Sequence, residues 1–398
     1  MEQSIIPAKI RTRIESIDLL RGLIMTIMAL DHIRDYFHID ASVFSPTDLS
    51  KTSVSLFFTR WITHFCAPLF MLLSGTSAYL VGEKKGKKYL SKFLLTRGLW
   101  LIFLEFTIVS FGWYFDIHFT AIDFLVIWAL GVSMLFLAVI IYLPLPWIIT
   151  ISLLIVLGHN LLDNIHVPGD GPASFIWSML HEQQIFIYGD HAFFIGYPVI
   201  PWIAVMALGY CLGKLYSNGF DAAKRKSILI KLGTAVILLF VILRYSNIYG
   251  DPAPWSTQSS AVFTLLSFIN VSKYPPSLLY LLVTAGPALL FLAYSENAKS
   301  GFSTQLKMIG RVAMFYYLVH LYIIHLLAMA ATYLCGFKWN DMILTTWINF
   351  EPKLHGYGFS LGVVYLIWFL IIVILYFLCR WYDRYKRSHN QYWWLSYL

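Results

Sequence analysis

The sequence is poor in charge: Asp, Glu, Lys and Arg together make up 13% of its 398 residues. A soluble globule of this size carries roughly 25%, so a soluble protein is excluded. Cysteine is scarce as well. Cys66, Cys211, Cys335 and Cys379 lie in or at the ends of apolar runs with no CxxC pair, which excludes a disulfide framework and predicts free, buried thiols. Metal-ligand spacing is also missing. HLYIIH at 320–325 sets its histidines five apart, where a helix needs three or four to put two ligands on one face, so no metal is expected. Internal repeats and low-complexity tracts are not evident, and the first apolar run, polar at its start, predicts a retained helix instead of a cleaved leader.

What the sequence has in abundance is apolar length: 59% hydrophobic and 17% aromatic residues. Runs long enough to cross a bilayer fall near 17–37, 58–82, 93–114, 121–142, 145–162, 192–213, 228–247, 276–294, 310–334 and 358–380. They predict an all-α, polytopic membrane bundle of about ten helices. SAVFTLLSFINV at 260–271 is too short to span and leaves room for an eleventh, re-entrant or interfacial piece. KYPPSLL reads as a helix start, with proline in the first turn. Asp123 reads as a cap opening the fourth helix.

Basic residues orient the bundle, because cytoplasmic loops collect Lys and Arg. An inside N-terminus gathers 22 of the 29 on that face, Lys9, Arg11 and Arg13 among them, and leaves Arg34, Lys51, Arg60, Arg244, Lys273, Lys338 and Lys353 outside. An even number of spans puts both termini in the cytoplasm. The net charge of +8 is thereby explained as topology, with no nucleic-acid partner. The connections 163–191 and 248–275, rich in Pro, Gly, Asn and aromatics, read as ordered outer loops. Residues 1–398 form a single integral-membrane domain, with core motifs in 11–335 and a C-terminal helix and basic tail in 358–398.

The first helix, SIDLLRGLIMTIMALDHIRDYFH, is unusual for a spanning segment because it carries Asp18, Arg21, Asp31, His32, Arg34 and Asp35. Such groups cost roughly 2.5–3.5 kcal/mol each in a bilayer and so face a cavity or a partner. His32 follows Arg21 by eleven residues, about 16 Å along the helix and within ~20° of the same face. Asp18 and Asp35 lie near that stripe. The run GRVAMFYYLVHLYIIH repeats the pattern, with Arg311 at its inner end and His320 and His325 deeper. Tyr316 and Tyr317 lie one turn before His320, within reach of its ring. Glu105, eight residues after Arg97, reaches a similar height to His32 and His320.

A histidine in a water-poor cavity serves as general base or nucleophile near neutral pH, and a carboxylate on its other nitrogen would fix the tautomer. An arginine one leaflet away suits the phosphates of a carrier. Three readings stay open at this point: such an enzyme, a proton-coupled transporter built from the same residues, and a purely structural pairing of Asp31 or Asp35 with Arg34. The lack of paired, symmetric halves weighs against the transporter.

RIESIDLLRGLIMTIMALDHIRDYF resembles the opening signature of transmembrane acyltransferases. FCAPLFMLLSGTSAYL, KYPPSLLYLLVTAGPALLFLA and IGRVAMFYYLVHLYIIHLLA resemble the bacterial relatives of heparan-alpha-glucosaminide N-acetyltransferase. These blocks are spread over residues 11–335 in the expected order. The resemblance implies a multi-pass protein of a bacterial cytoplasmic membrane that takes acetyl from cytosolic acetyl-CoA and gives it to a hydroxyl or amine, on a sugar or glycan of the cell envelope, across the bilayer. It allows for a homodimer. Asp18, Arg21 and Gly22 match the first-helix motif; Gly310, Arg311, His320 and His325 match the ninth. Asp18, Arg21, Arg311, His320 and His325 are thus expected around the donor. His32 first and His38 second, with Asp31, Asp35 and Glu105, are expected at the chemistry. Direct transfer and an acetyl-histidine intermediate both remain open.

Overall fold

The computed structural model describes residues 14–389 and 391–396; Lys9, Arg11 and Arg13 lie outside them. Among the described residues, seven helices are long and apolar enough to cross a membrane: α2 (Val54–Lys85), α3 (Lys87–Tyr114), α5 (Leu145–Leu162), α8 (Ala222–Ser246), α10 (Leu278–Ser295), α12 (Ala313–Leu334) and α13 (Leu361–Ser388). Two shorter apolar helices, α4 (Val126–Ile140) and α7 (Ile200–Leu212), and the charge-bearing α1 (Glu15–Phe37) accompany them. The protein is a polytopic helical membrane protein. Short helices α6 (Pro172–Leu180), α9 (Ala261–Ile269) and α11 (Gly301–Arg311) connect the long ones.

α1 lies at the centre. Eighteen of its 23 residues are buried, so its ionisable groups after the exposed Glu15 face protein, and at ~1.5 Å per residue it is long enough to span. α8 and α13 are largely uncovered by protein and present their Leu, Ile and Phe outward, as helices in lipid contact do.

The closest packing comes from small residues facing each other across helix pairs: Gly22 with Gly310 (α1 and α11), Gly75 with Gly209 (α2 and α7), Gly98 with Gly131 (α3 and α4), Gly233 with Gly286 (α8 and α10). A Cβ on Gly22 would stand 1.9 Å from the carbonyl oxygen of Leu306, and one on Gly310 equally close to that of Asp18. Lipid offers no hydrophobic drive between helices, so close backbone approach supplies the attraction. Glycines Gly22 and Gly310 of the two recognised motifs are therefore the contact that seats Arg21 and Arg311 side by side.

One end of the bundle carries a three-stranded sheet in the order β1 (Ala121–Phe124), β3 (His191–Ile195), β2 (Gln184–Tyr188), with β1 parallel and β2 antiparallel to β3. It covers the end of the bundle where α1 and α3 finish.

The apolar runs needed correction at their ends. The runs at 121–142 and 192–213 each open as a strand before turning helical, because β1 and β3 satisfy each other's backbone outside the bundle. Asp123 is consequently a strand residue and caps nothing. The run 310–334 is two helices broken at Val312, so Arg311 ends an amphipathic helix that precedes the one bearing His320. In KYPPSLL the prolines lie ahead of the helix, and Ser277 caps it by accepting from the Tyr280 N–H at 3.0 Å. The piece at 260–271 is the nine-residue α9. Cys66 and Cys379 are buried free thiols, whereas Cys211 is half-buried and Cys335 exposed at the end of α12.

Candidate active site

Two cavities meet in the middle of the bundle. One, of about 360 Å³, opens near the start of α1 and is lined by Arg21, Arg97, Arg311 and Lys386, by Ser74 and Ser77, and otherwise by apolar groups. It has no carboxylate among its lining residues. The other, of about 570 Å³, lies under the sheet at the far end of α1. Phe70, Val126 and Tyr317 line both. They form a thin wall shared by the two spaces.

In the first cavity Arg21 is held by Asp18 at 3.2 Å, by the Gly310 carbonyl at 3.4 Å and by Ser77 Oγ at 2.9 Å. Arg311 is tied through two hydrogen bonds to Asp383, 3.0 and 2.8 Å long, and Arg387 joins the same carboxylate at 2.8 Å. Asp18 and Asp383 thus stand behind the cations and aim them. Arg97, Lys386 and the serines were not singled out from the sequence; only their place on facing helices brings them to Arg21.

In the second cavity, His32 is the exposed end of a two-ring chain. His320 Nδ1 is in hydrogen-bond contact with the carbonyl oxygens of Tyr316, at 3.1 Å, and of Tyr317. A carbonyl only accepts, so His320 Nδ1 carries the proton and its Nε2 has the lone pair. His32 Nδ1, 2.7 Å from that Nε2, must then donate. This leaves His32 Nε2 unprotonated in the cavity. The expected carboxylate partner is replaced by a neutral imidazole whose own tautomer is set by helix carbonyls. Trp113 packs its edge on His32 with ring centroids 4.6 Å apart and meets Trp347 at 5.0 Å, giving the cavity an aromatic wall.

Asp31 and Asp35 also line this space, but as members of an ion cluster. Arg34 bonds Asp31 and Asp35, each at 2.6 Å; Arg60 lies 2.7 Å from Asp31, and Lys273 lies 3.7 Å from the same carboxylate. Two carboxylates and three cations leave the cluster one positive charge. The pairing of Arg34 with both aspartates is the structural alternative raised above, extended by Arg60 and Lys273. Asp123 lines the same cavity, buried, with its Oδ2 accepting from the Tyr114 hydroxyl at 2.6 Å. Burial pushes its carboxyl up to about 7, against the lowering effect of Tyr114.

Five expected residues line neither cavity: Asp18 and His320 bond side chains that do, and three stand apart. Glu105, in a one-turn π bulge of α3, accepts from the Trp128 N–H at 2.7 Å, which places a carboxyl at the positive end of α4. His325 has both ring nitrogens on carbonyls, Gly112 at 3.1 Å and Met342 at 2.8 Å, so its spacing from Arg311 measured nothing. His38 closes α1, its Nδ1 accepting from the Asp40 N–H at 3.2 Å, and burial lowers its pKa.

A family model described as heparan-alpha-glucosaminide N-acetyltransferase, catalytic, matches residues 13–249. No curated protein matches the chain.

Proposed function

The chain belongs to the family of the heparan-alpha-glucosaminide N-acetyltransferase catalytic domain, and from that premise we propose that it carries acetyl from cytosolic acetyl-CoA to a sugar across the membrane. The observation that carries this reading is His32, with a bare Nε2, in a cavity that shares one thin wall with a cationic pocket. Arg21, Arg97, Arg311 and Lys386 complement the phosphates of the donor, and the apolar groups that make up the rest of the lining suit its pantetheine arm. The excess of Lys and Arg at this end orients it to the cytosol. On the other side, Trp113 and Trp347 offer flat faces to a sugar ring, and the polar groups around them offer hydrogen bonds.

His32 Nε2 takes the acceptor's proton as the new C–N or C–O bond forms and the C–S bond breaks, then returns it to the departing thiolate. Nε2 attacking first, and holding the acetyl before the acceptor arrives, uses the same atoms. In either sequence His320 keeps the His32 ring oriented and receives its Nδ1–H, including when the ring becomes imidazolium. Wall residue Tyr317 carries one of the carbonyls that fix His320.

Calorimetry of acetyl-CoA against detergent-purified protein tests the reading. Wild type binds in the micromolar range; Arg21→Ala weakens binding about tenfold or more, ~1.4 kcal/mol; His32→Ala binds as wild type yet transfers no label to acceptor. Absence of binding at millimolar ligand overturns the donor site, and turnover by His32→Ala overturns the role of that residue.

A further inference from the structure

The acceptor cavity contains three aspartates, and two of them are already spoken for. Asp31 and Asp35 are neutralised by Arg34, Arg60 and Lys273. Asp123 makes no ion pair with any described Lys or Arg; its one side-chain hydrogen bond comes from the neutral Tyr114 hydroxyl. The groups that face it are Tyr114 and Glu105 from α3 and Tyr36 from α1. None of these is a cation, and Glu105 is engaged with the start of α4. Asp123 therefore contributes a carboxyl to the cavity that nothing in the fold requires for charge balance. Its parallel ladder with β3, Asp123 opposite Phe194, holds the backbone rigidly behind it.

Proton counting gives this carboxyl a task. A hydroxyl acceptor loses one proton on acetylation, and His32 with the leaving thiolate accounts for it. An amino sugar arrives mostly as R–NH3⁺. Its conversion to R–NH–CO–CH3, with release of HS–CoA, frees one proton more. That first proton must leave before nitrogen has a lone pair with which to attack. Resting on the proposed function, we infer that Asp123 is the acceptor-side base that binds the ammonium of an amino sugar and removes its first proton, so that the chain selects amines over hydroxyls. The carboxylate takes one proton from R–NH3⁺; the C–N bond forms and the C–S bond breaks; the second N–H proton goes to His32 Nε2 and on to the thiolate; Asp123 then gives its proton to water. A carboxyl pushed up to about 7 is a far better partner for an amine near neutral pH than an ordinary aspartate.

Asp123→Asn is close to isosteric and keeps an acceptor for Tyr114. The test measures label transfer from acetyl-CoA to two acceptors across pH: a methyl glucosaminide, whose amine is protonated at neutral pH, and an alkoxyamine sugar, whose nucleophile is not. In wild type, kcat/KM for the glucosaminide rises as pH passes about 7 and the Asp123 carboxylate forms. In the variant the ratio of glucosaminide to alkoxyamine turnover falls by about 10²-fold near neutral pH, where the wild-type carboxylate has formed and the amine is still protonated, and recovers in alkali where the amine is already free. Tyr114→Phe removes a donor that favours the carboxylate, so it shifts the acid limb of the glucosaminide profile upward and leaves that of the alkoxyamine in place. An equal loss for both acceptors, or unshifted profiles, overturns the inference. If wild type acetylates neither acceptor, the proposed function fails first and this inference with it.

Discussion

At the scale of single residues, the histidine proposed for the chemistry, His32, has its tautomer set by a neutral imidazole in place of a carboxylate. Carbonyls of α12 fix His320, and His320 fixes His32. A partner carboxylate would stabilise the imidazolium more strongly but would add another desolvated anion near Asp31 and Asp35. His320→Phe keeps a buried ring of similar size and loses the acceptor; kcat should fall on the order of 10²-fold while acetyl-CoA affinity, measured by calorimetry, stays unchanged. An equal fall in affinity would show that His320 serves the donor. His32 was legible because eleven residues return a helix to its own face, and a polar stripe running from an arginine to a histidine one leaflet away is too costly to turn toward lipid. Its partner was half legible: rise along a helix gives height, while which side chains touch depends on how the helices are rotated. That Arg60, Lys273 and Asp123 share one cavity could not be seen, since packing alone brings them there from distant parts of the chain.

At the scale of elements, the two recognised motifs turn out to be one contact. RG in α1 and GR in α11 supply Gly22 and Gly310, whose backbones touch and whose neighbouring arginines enter the same cavity. Gly310→Ala should therefore act at two levels. The added Cβ meets the Asp18 carbonyl at 1.9 Å, so α1 and α11 must separate, at about 1–3 kcal/mol for overpacking. Thermal melting in detergent should show the loss, and acetyl-CoA binding should weaken with it because both arginines move. An unchanged melting temperature would mean that the pair yields elsewhere. The helical runs were readable from apolar length, and the errors cluster where a run changes its hydrogen-bonding partner. AIDF and HAFFI are apolar enough to extend a helix, yet they pair with each other as β1 and β3. Val312 breaks a run that hydrophobicity alone makes continuous.

At the scale of the whole molecule, the two cavities give the bundle a direction. Cys335, exposed beyond the end of α12, reports it. With Cys66, Cys211 and Cys379 replaced, a membrane-impermeant maleimide should label Cys335 in intact cells; labelling only after permeabilisation would reverse the orientation and put the cationic cavity outside. The same view gives the glycine pairs a mechanical meaning. Phe70 belongs to the unit bolted by Gly75 and Gly209, Val126 to the unit of Gly98 and Gly131, and Tyr317 to α12, which packs on the end of α3 at Gly112. Helices in backbone contact have little freedom to slide. A backbone motion that parted those three side chains would have to move one packed pair against another, as the aperture of an iris opens while each blade keeps its shape.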